Sequence, residues 1–503
     1  MRCGPATLIL LGALLVSLAA TPTARAQGYR LRLDGQAQRA AFRGVTQDSI
    51  LAADARPSPT GGLQTVEGYA VRCPPGNSFC FFFRPGPALR GGPVVTSADL
   101  TLWGLGVSGL SIRVNGRAGF DLGDGEVWPG TEPNGQLIEG YAEYVHRLFT
   151  VRGGRQLLAS RLGIVGFDGG KAMFHPDRYG LQVEAYVGLG LARATAIPLT
   201  SPALNPLDEF QPRRRQVLAG AAVGWSNRLA EVRLDYQREV DRESRHFASE
   251  RTAIALDFHP RPRWNLLAGA EYDLANTWFG NADASLRYTA AWITVLGGIR
   301  QYRPHFDLWT IWGAFSPVPY HAVNSAVWLR PLRGVELRAR WERYVFSPAE
   351  TETPLVSVED DGHRVGVGVS YSPIATLSLD AGYREEHGPG GSSHGFEGTI
   401  TVRPVAGLAL AAYGSTLERP LEFRFQDSSV DALGFDAEWR PSERLRLAVG
   451  AAHYAEDRDR PDAAAFDWNQ TRLMARVTLV LRSQTDNVPL PPALPPSPRA
   501  GVR

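Results

Sequence analysis

The sequence is poor in lysine, in cysteine and in long apolar runs. Lys171 is the only lysine among 503 residues, and there are three cysteines. After residue 26 no apolar run reaches the ~18 residues of a membrane-spanning helix, so the chain is not predicted to contain one. The cysteines show neither the spacing of a CxxC redox motif nor the number that a thiolate metal site requires.

An excess of charge of one sign is also missing. Of the 53 Lys and Arg side chains, Arg2 and Arg25 lie in the first 26 residues, and the remaining 51 equal the 51 Asp and Glu. The chain therefore has no global basic field that would bind nucleic acid. Its carboxylates and histidines lack the spacing of an EF-hand or a zinc site, and no Ser-His or Asp-His pairing stands out. We expect no enzyme, no cofactor and no metal.

Residues 1–26 have the three parts of a secretory signal peptide. Arg2 supplies the positive start, residues 8–20 form a short apolar stretch, and Ala24-Arg25-Ala26 is a small-x-small cleavage site. Because the apolar stretch is too short to cross about 30 Å of hydrocarbon, it is not a membrane anchor. The sequence predicts export and cleavage after Ala26.

Two cysteines remain after cleavage, Cys73 and Cys80, on either side of a turn at 74–77. In an oxidising compartment this arrangement predicts a disulfide. The pair lies in residues 44–96, a Pro- and Gly-rich segment that interrupts the pattern described next. Two interpretations of the segment stay open: an inward plug or extracellular lid, and a stapled surface loop.

From about residue 98 the chain alternates apolar and polar residues over stretches of 9 to 14 residues, as β-strands do. Strands of about ten residues at 3.3 Å each, tilted by about 45°, match the 25 Å apolar band of an outer membrane. Charges on the lipid face would cost about 2–4 kcal/mol each for Arg at the midplane, so the charged rows are predicted to face inward. The pore-lining candidates are Glu231, Arg233, Asp235, Glu336, Arg338, Arg340, Glu342, Arg472 and Arg476.

The connections between these strands alternate as well. Short turns are predicted at 225–228, 259–263, 288–292, 330–331, 372–373, 403–404 and 440–441. Long polar segments separate them at 241–250, 304–321, 347–362, 387–394, 417–430 and 455–469. Aromatic residues beside the short turns mark a membrane boundary: Trp225, Tyr288, Trp292, Tyr371 and Trp439. Short turns on one side and long loops on the other are typical of bacterial outer-membrane barrels.

The sequence therefore predicts an all-β protein with a single large antiparallel transmembrane β-barrel over residues 27–482. The strand count is about 20–22, within about 16 to 24, and the even number places both termini and the short turns in the periplasm. The long loops then face the outside. Residues 483–503 are Pro-rich and are predicted to form a disordered periplasmic tail.

Over about residues 98–482 the chain resembles the outer-membrane porin class as a whole. The segment Val151-Arg-Gly-Gly-Arg-Gln156, followed by Gly166-Phe-Asp-Gly-Gly170, is similar to the GRQ…DG strand and loop of several substrate-type porins. The final strand departs from the usual barrel pattern, because it ends in Val480-Leu481-Arg482 rather than in an aromatic residue.

A barrel of about 20 strands is too wide for side chains to fill, so it holds water unless it is plugged. We therefore expect a passive diffusion channel for small hydrophilic solutes with at most weak ion selectivity. One alternative for the inner charges is that acids and arginines pair across strands and only stabilise the wall. The alternative function is a plugged or non-conducting surface barrel whose loops bind a partner, and an outer-membrane enzyme is a weaker rival.

A second irregular segment, 305–320, is unusually aromatic. It is a candidate constriction loop, with Phe306, Trp309, Trp312 and Phe315 as the candidate residues. It could instead pack over the rim between subunits, or extend strands into the outer aromatic belt. The predicted location is the bacterial outer membrane, and the predicted partners are its lipid and lipopolysaccharide, the barrel assembly machinery and small solutes. The sequence gives no oligomeric state.

Overall fold

The computed structural model describes residues 28–58, 62–123, 135–176, 180–191, 216–242, 247–303, 319–347, 361–388, 391–422, 428–458 and 467–483. The predicted signal peptide and, apart from Ser483, the predicted tail lie outside these residues. The predictions about both segments therefore stay predictions. No helix in the described part of the chain is long and apolar enough to cross a membrane.

The described chain is almost entirely β-strand. In chain order the elements are β1 (Gly28–Leu51), a 3-10 helix (Ala52–Asp54), β2 (Arg56–Pro57), β3 (Leu63–Gln64), β4 (Ala70–Arg72), β5 (Phe79–Gly91), β6 (Pro93–Trp103), β7 (Leu110–Asp121), β8 (Gly135–Val145), β9 (Phe149–Ser160), β10 (Gly163–Phe174), β11 (Leu181–Gly190), β12 (Val217–Ser226) and β13 (Ala230–Val240). They continue with β14 (Phe247–Arg261), β15 (Trp264–Asp273), β16 (Trp278–Thr289), β17 (Ile293–Tyr302), β18 (Tyr320–Leu332), β19 (Val335–Phe346), β20 (Asp361–Ile374), β21 (Leu377–Gly388), β22 (Gly391–Val405), β23 (Leu408–Glu422), β24 (Ser428–Ser442), β25 (Leu445–Arg458) and β26 (Trp468–Arg482).

Twenty-two of these strands, β1 and β6–β26, form one closed antiparallel ring. Each strand pairs with the next along the chain, and β1 closes the ring by pairing with both β6 and β26. At the seam Arg30 lies opposite Arg482, and Arg39 lies opposite Leu473. Closure leaves no open edge within the ring. A sheet in lipid requires this, because no water is present there to form hydrogen bonds with unpaired backbone groups. The predicted fold class and strand number are confirmed.

The ring has two unlike ends. At the end where β1 begins and β26 ends, here called the terminal end, the turns are short, as at 262–263, 333–334, 406–407 and 443–444. At the opposite end, the loop end, most connections are longer, for example 303–319 and 347–360. Three connections at the loop end are short: 161–162, 274–277 and 389–390. Which end faces the periplasm stays a prediction.

Five hairpins at the terminal end share one feature, a proline at a β-bulge just before the turn. Pro260, Pro331, Pro373, Pro404 and Pro441 each lie inside the end of a strand, two residues before the first turn residue. At each of them the cross-strand register shifts, for example between Leu329 and Leu332. Proline has no N–H to donate, so it fits the unpaired position of a β-bulge. The predicted turn at 259–263 contains the observed one, whereas those at 330–331, 372–373, 403–404 and 440–441 fall on the bulge, with the turn just beyond it.

Residues beyond the ring form a small separate sheet, called the arm. The second half of β1 leaves β26 and pairs with β5, and β2–β4 continue that sheet. A disulfide joins Cys73 to Cys80, as predicted. Among the described residues the arm is an extension at the loop end, where Arg43 donates to the backbone carbonyl of Asp467. The segment 44–96 is thus mostly strand.

The two faces of the ring differ in chemistry. On the outer face, apolar side chains such as Leu234, Val367 and Leu433 are 49%, 48% and 69% exposed. Trp225, Trp292, Tyr371 and Trp439 are exposed at the terminal end of this face. Tyr288 packs against Trp264 there, with ring centroids 4.8 Å apart and the rings tilted by 50°. The result is an apolar outer band with aromatic residues at its border, the arrangement of a barrel in lipid.

Candidate functional site: the inner wall

All nine predicted pore-lining residues lie on the face opposite the apolar band. In β13 the inner residues are Glu231, Arg233 and Asp235, and the outer ones include Leu234. The same alternation in β19 and β26 puts Glu336, Arg338, Arg340, Glu342, Arg472 and Arg476 on the inner face. Because strand side chains point alternately to opposite faces, a closed ring with one apolar face has its polar face toward the lumen.

The chain has the architecture of an outer-membrane β-barrel. No protein-family model matches it, and no curated protein does. Several solved structures do match this chain. OccAB2 of Acinetobacter baumannii is 11% identical, with 90% of this chain and 98% of that chain covered and a TM-score of 0.39. OprD of Pseudomonas aeruginosa is 10% identical, with 91% and 96% covered and a TM-score of 0.39.

A variant of the ferric enterobactin receptor of Pseudomonas aeruginosa is 11% identical, with 89% of this chain and 80% of that chain covered and a TM-score of 0.49. The chain is similar to these proteins in fold. The barrel assignment itself rests on the strand pairing and on the two unlike faces of the ring.

Much of the inner charge is paired, either across strands or with a neighbour on the same strand. Lys171 contacts Glu184 with Nζ 2.9 Å from Oε2, and Arg233 contacts Asp235 with Nε 2.9 Å from Oδ1. Arg233 also approaches Glu184, at 3.6 Å. Glu184 and Asp235 are only 2% and 4% exposed. The two cations and two carboxylates of this group partner one another, since buried carboxylates depend on such partners.

A second ion-pair network links β17, β19, β20 and β21. The Glu342 carboxylate accepts hydrogen bonds from Arg300, at 2.6 Å, and from Arg364, at 2.8 Å. Arg364 also donates to Glu386, at 2.9 Å. Two cations and two anions therefore cancel within one patch. Other inner pairs are Arg32 with Asp34, Arg113 with Asp99, Arg152 with Glu143 and Arg155 with Asp168.

Several inner arginines have no ion pair with any described residue, among them three neighbours on β19 and β21: Arg338, Arg340 and Arg384. They are neighbours, because Gly366 lies between Arg340 and Arg384 in the register of β19–β21. A Cβ at Gly366 would meet the guanidinium of Arg340, and one at Gly368 would meet that of Arg338. The Val-Gly alternation of β20 thus puts valine toward lipid and leaves room for two arginine side chains to lie flat on the wall. We call Arg338, Arg340 and Arg384 the arginine patch.

The hairpin formed by the ends of β9 and β10 leaves the wall. Pairing with β8 ends at Arg155, and pairing with β11 begins at Phe167, so residues 156–166 lie outside both ladders, and Gly166 keeps one contact, accepting from the Leu191 N–H at 2.8 Å. Gly154, at the point of departure, has φ +128°, a conformation that residues with a Cβ rarely adopt. The hairpin therefore begins at a glycine that permits the bend.

This inward hairpin lies against the inner faces of β11–β16. Leu158 packs in a cluster with Phe167, Tyr186 and Leu218. At the tip, Arg251 of β14 donates to the backbone carbonyl of Leu162, at 3.0 Å, and Arg161 forms an ion pair with Asp283 of β16. Contacts with strands four to six positions away place the hairpin inside the ring. The inward hairpin narrows the lumen on one side.

The sequence prediction missed this hairpin, although one signal pointed to the segment. The two pieces that resemble substrate-type porins, 151–156 and 166–170, flank it on both sides. The predicted constriction residues Phe306, Trp309, Trp312 and Phe315 lie outside the described residues. In the described part of the chain, no group of three or more His, Cys, Asp or Glu side chains is placed to hold a metal ion.

Proposed function

We propose that the protein is an outer-membrane channel through which small hydrophilic solutes diffuse passively. One observation carries the proposal: a ring of 22 strands has an apolar outer face and a charged inner wall. A ring this wide encloses far more space than inner side chains of one layer can fill. The inward hairpin then serves as the constriction, since it is the described segment that leaves the wall and enters the lumen.

The surroundings of the channel are proposed with it. The apolar band contacts membrane lipid, and the loop end contacts lipopolysaccharide. The signal peptide directs export with cleavage after Ala26, and the barrel assembly machinery inserts the strands. The periplasmic position of the terminal end belongs to the same proposal, supported by the short turns found there.

Single-channel recording in planar lipid bilayers tests the proposed function. Purified barrel, shown to be folded by its heat-modifiable migration in gels, is expected to insert and give discrete conductance steps. A folded, inserted barrel without conductance would overturn the proposal. That outcome would favour a plugged barrel whose loops bind a partner.

The arginine patch predicts a weak preference for anions, because guanidinium groups without carboxylate partners set the local charge of the wall. Replacing two of them, Arg338→Gln with Arg340→Gln, should move the reversal potential toward cations under a tenfold KCl gradient. The expected shift is roughly 10 mV, out of the about 59 mV that perfect selectivity would give.

The matched control is Arg343→Gln on the same strand. Arg343 faces outward and pairs with Asp361, so its loss should leave the reversal potential unchanged. Equal shifts in both variants would contradict a role for the arginine patch in ion selectivity.

A further inference from the structure

Four aromatic rings form a continuous patch on the inner wall at the loop end. They belong to Tyr302, Tyr320, Tyr344 and Phe346, the inner residues at the ends of β17, β18 and β19. The ring centroid of Tyr320 lies 5.2 Å from that of Tyr302, and 5.5 Å from those of Tyr344 and Phe346. Tyr344 and Phe346 are 5.8 Å apart, edge to face. We call this group the aromatic patch.

The aromatic patch differs from the single inner tyrosines, such as Tyr454, in joining four rings. Aromatic residues on the outer face meet lipid, but these four face the side of the wall that carries the charges. Tyr344 is buried, at 4% exposure, and the other three rings are partly exposed in front of it. Apolar surface left in water costs about 25 cal/mol per Å², so a contiguous patch of it indicates a binding surface.

Next to the aromatic patch, on its side toward the terminal end, lies the ion-pair network of Arg300, Glu342, Arg364 and Glu386. Arg300 lies 5.5 Å from the Tyr320 ring centroid, and Arg364 lies 4.7 Å from that of Tyr344. The network thus places several donors and acceptors beside the rings. Its charges cancel within the network, so it gives no net attraction for an ion.

A ligand for this surface needs an apolar face and many hydrogen-bonding groups, but no net charge. A free anion would have to displace Glu342 or Glu386, and a free cation would have to displace an arginine. An aliphatic ligand would shield from water the donors and acceptors that the network itself does not use. A sugar ring meets all three conditions, because its C–H face packs on aromatic rings while its hydroxyls bond to guanidinium and carboxylate groups.

We propose that the aromatic patch and the network next to it form a binding site for neutral oligosaccharides in the lumen. The proposal rests on the proposed channel function and names the class of solute. The arginine patch borders the network, since Arg340 is two residues from Glu342 along β19, but it is four residues from Tyr344, about 13 Å from the rings. In 1 M KCl, where the Debye length is about 3 Å, its charge has little influence at the rings.

The test is interruption of the ion current in 1 M KCl by a linear glucose tetrasaccharide. We expect reversible blocking, and we expect Tyr320→Leu with Phe346→Leu to raise the half-blocking concentration roughly tenfold, which corresponds to about 1.4 kcal/mol. Leucine keeps apolar volume, so the barrel should still fold. The matched control is Tyr454→Leu, another inner tyrosine under an arginine, with Arg472 4.8 Å from its ring centroid. This control should block like the unsubstituted protein.

The outcomes separate the two proposals. A conducting channel that the glucose tetrasaccharide never blocks, or that it blocks equally in all three proteins, would overturn the sugar site and leave the channel intact. Blocking by a galacturonic acid tetrasaccharide alone would also overturn it, in favour of the arginine patch. The site can also be tested without conductance, by calorimetric titration of detergent-solubilised barrel with the glucose tetrasaccharide. If the sugar binds, the double variant weakens that binding and the barrel does not conduct, the site is supported and the channel is contradicted.

Discussion

Replacing Val367 by arginine should destabilise the barrel by about 2–4 kcal/mol in a lipid bilayer. Val367 is exposed on the outer face of β20, midway between Tyr371 at the aromatic border and His363 toward the loop end. An arginine there must lie in the hydrocarbon or bend toward water, and both are costly. Urea unfolding of the protein folded into phospholipid vesicles measures the change in the free energy of unfolding.

The matched control is an arginine on the inner face of the same sheet. Thr399 of β22 faces inward, opposite Asp380 and Tyr413, so Thr399→Arg adds the same charge next to a carboxylate and water. We expect a change of less than about 1 kcal/mol, as for other exposed ion pairs. If both variants lost equal stability, the assignment of the two faces would be wrong.

Truncating Leu158 to alanine should release the inward hairpin. Leu158 is buried with Phe167, Tyr186 and Leu218, and a buried Leu→Ala change costs about 2–5 kcal/mol. We expect the lost free energy to destabilise the hairpin and not the rest of the barrel, because residues 156–166 have no ladder with β8 or β11. Amide hydrogen exchange of 156–166 should accelerate by roughly 30-fold to several thousand-fold, while β20–β23 stay protected.

Leu433→Ala is the control for this variant. Leu433 lies on the lipid face, far from the hairpin, so its loss should leave the exchange of residues 156–166 unchanged. Unaltered exchange in the Leu158→Ala protein would show that the apolar cluster does not hold the hairpin in place.

The closed barrel and its approximate strand number could be predicted from the sequence because both depend on local patterns. In β13 the alternation of Leu234 with Arg233 and Asp235 already assigns both faces of the strand. Lipid makes this pattern strict, since a charge on the wrong face is so costly. Short and long connections then give the order and direction of the strands without any long-range information.

The turns were harder to place than the strands. Arg330-Pro331 and similar pairs indicate a break in pairing, and the structure has one there. A single unpaired residue in a bulge and a chain reversal both suit proline, so the residue type does not distinguish them. The short turn itself, at 333–334, carries Gly334 with φ +79°. A left-handed glycine marks this turn and the one at Gly407, whereas the turns at 262–263, 375–376 and 443–444 have no glycine.

The inward hairpin could not be predicted because its strands look like wall strands. β9 and β10 have twelve residues each, like many others in the ring. What distinguishes residues 156–166 is the loss of pairing with β8 and β11, a property of the neighbours rather than of the segment. Only Gly153-Gly154 marks the point where the hairpin departs.

The pairing of the inner charges also depends on register. Sequence alone shows that Glu342 and Arg340 face inward, but not that Glu342 lies opposite Arg364 while Arg340 lies opposite Gly366. These partners decide which groups are neutralised in the wall and which remain available to a solute. The nine predicted residues therefore divide into paired and unpaired groups, and their role as pore lining stays a proposal.

The central claim is that β19 has one face in lipid and the other in water. Single cysteines at Arg338 and Arg340 on the inner face, and at Leu337 and Ala339 on the outer face, test it in vesicles with a membrane-impermeant maleimide. The disulfide of Cys73 and Cys80 is inert to the reagent. We predict rapid labelling at 338 and 340 and almost none at 337 and 339. Equal labelling at all four positions, or labelling only at 337 and 339, would contradict the account.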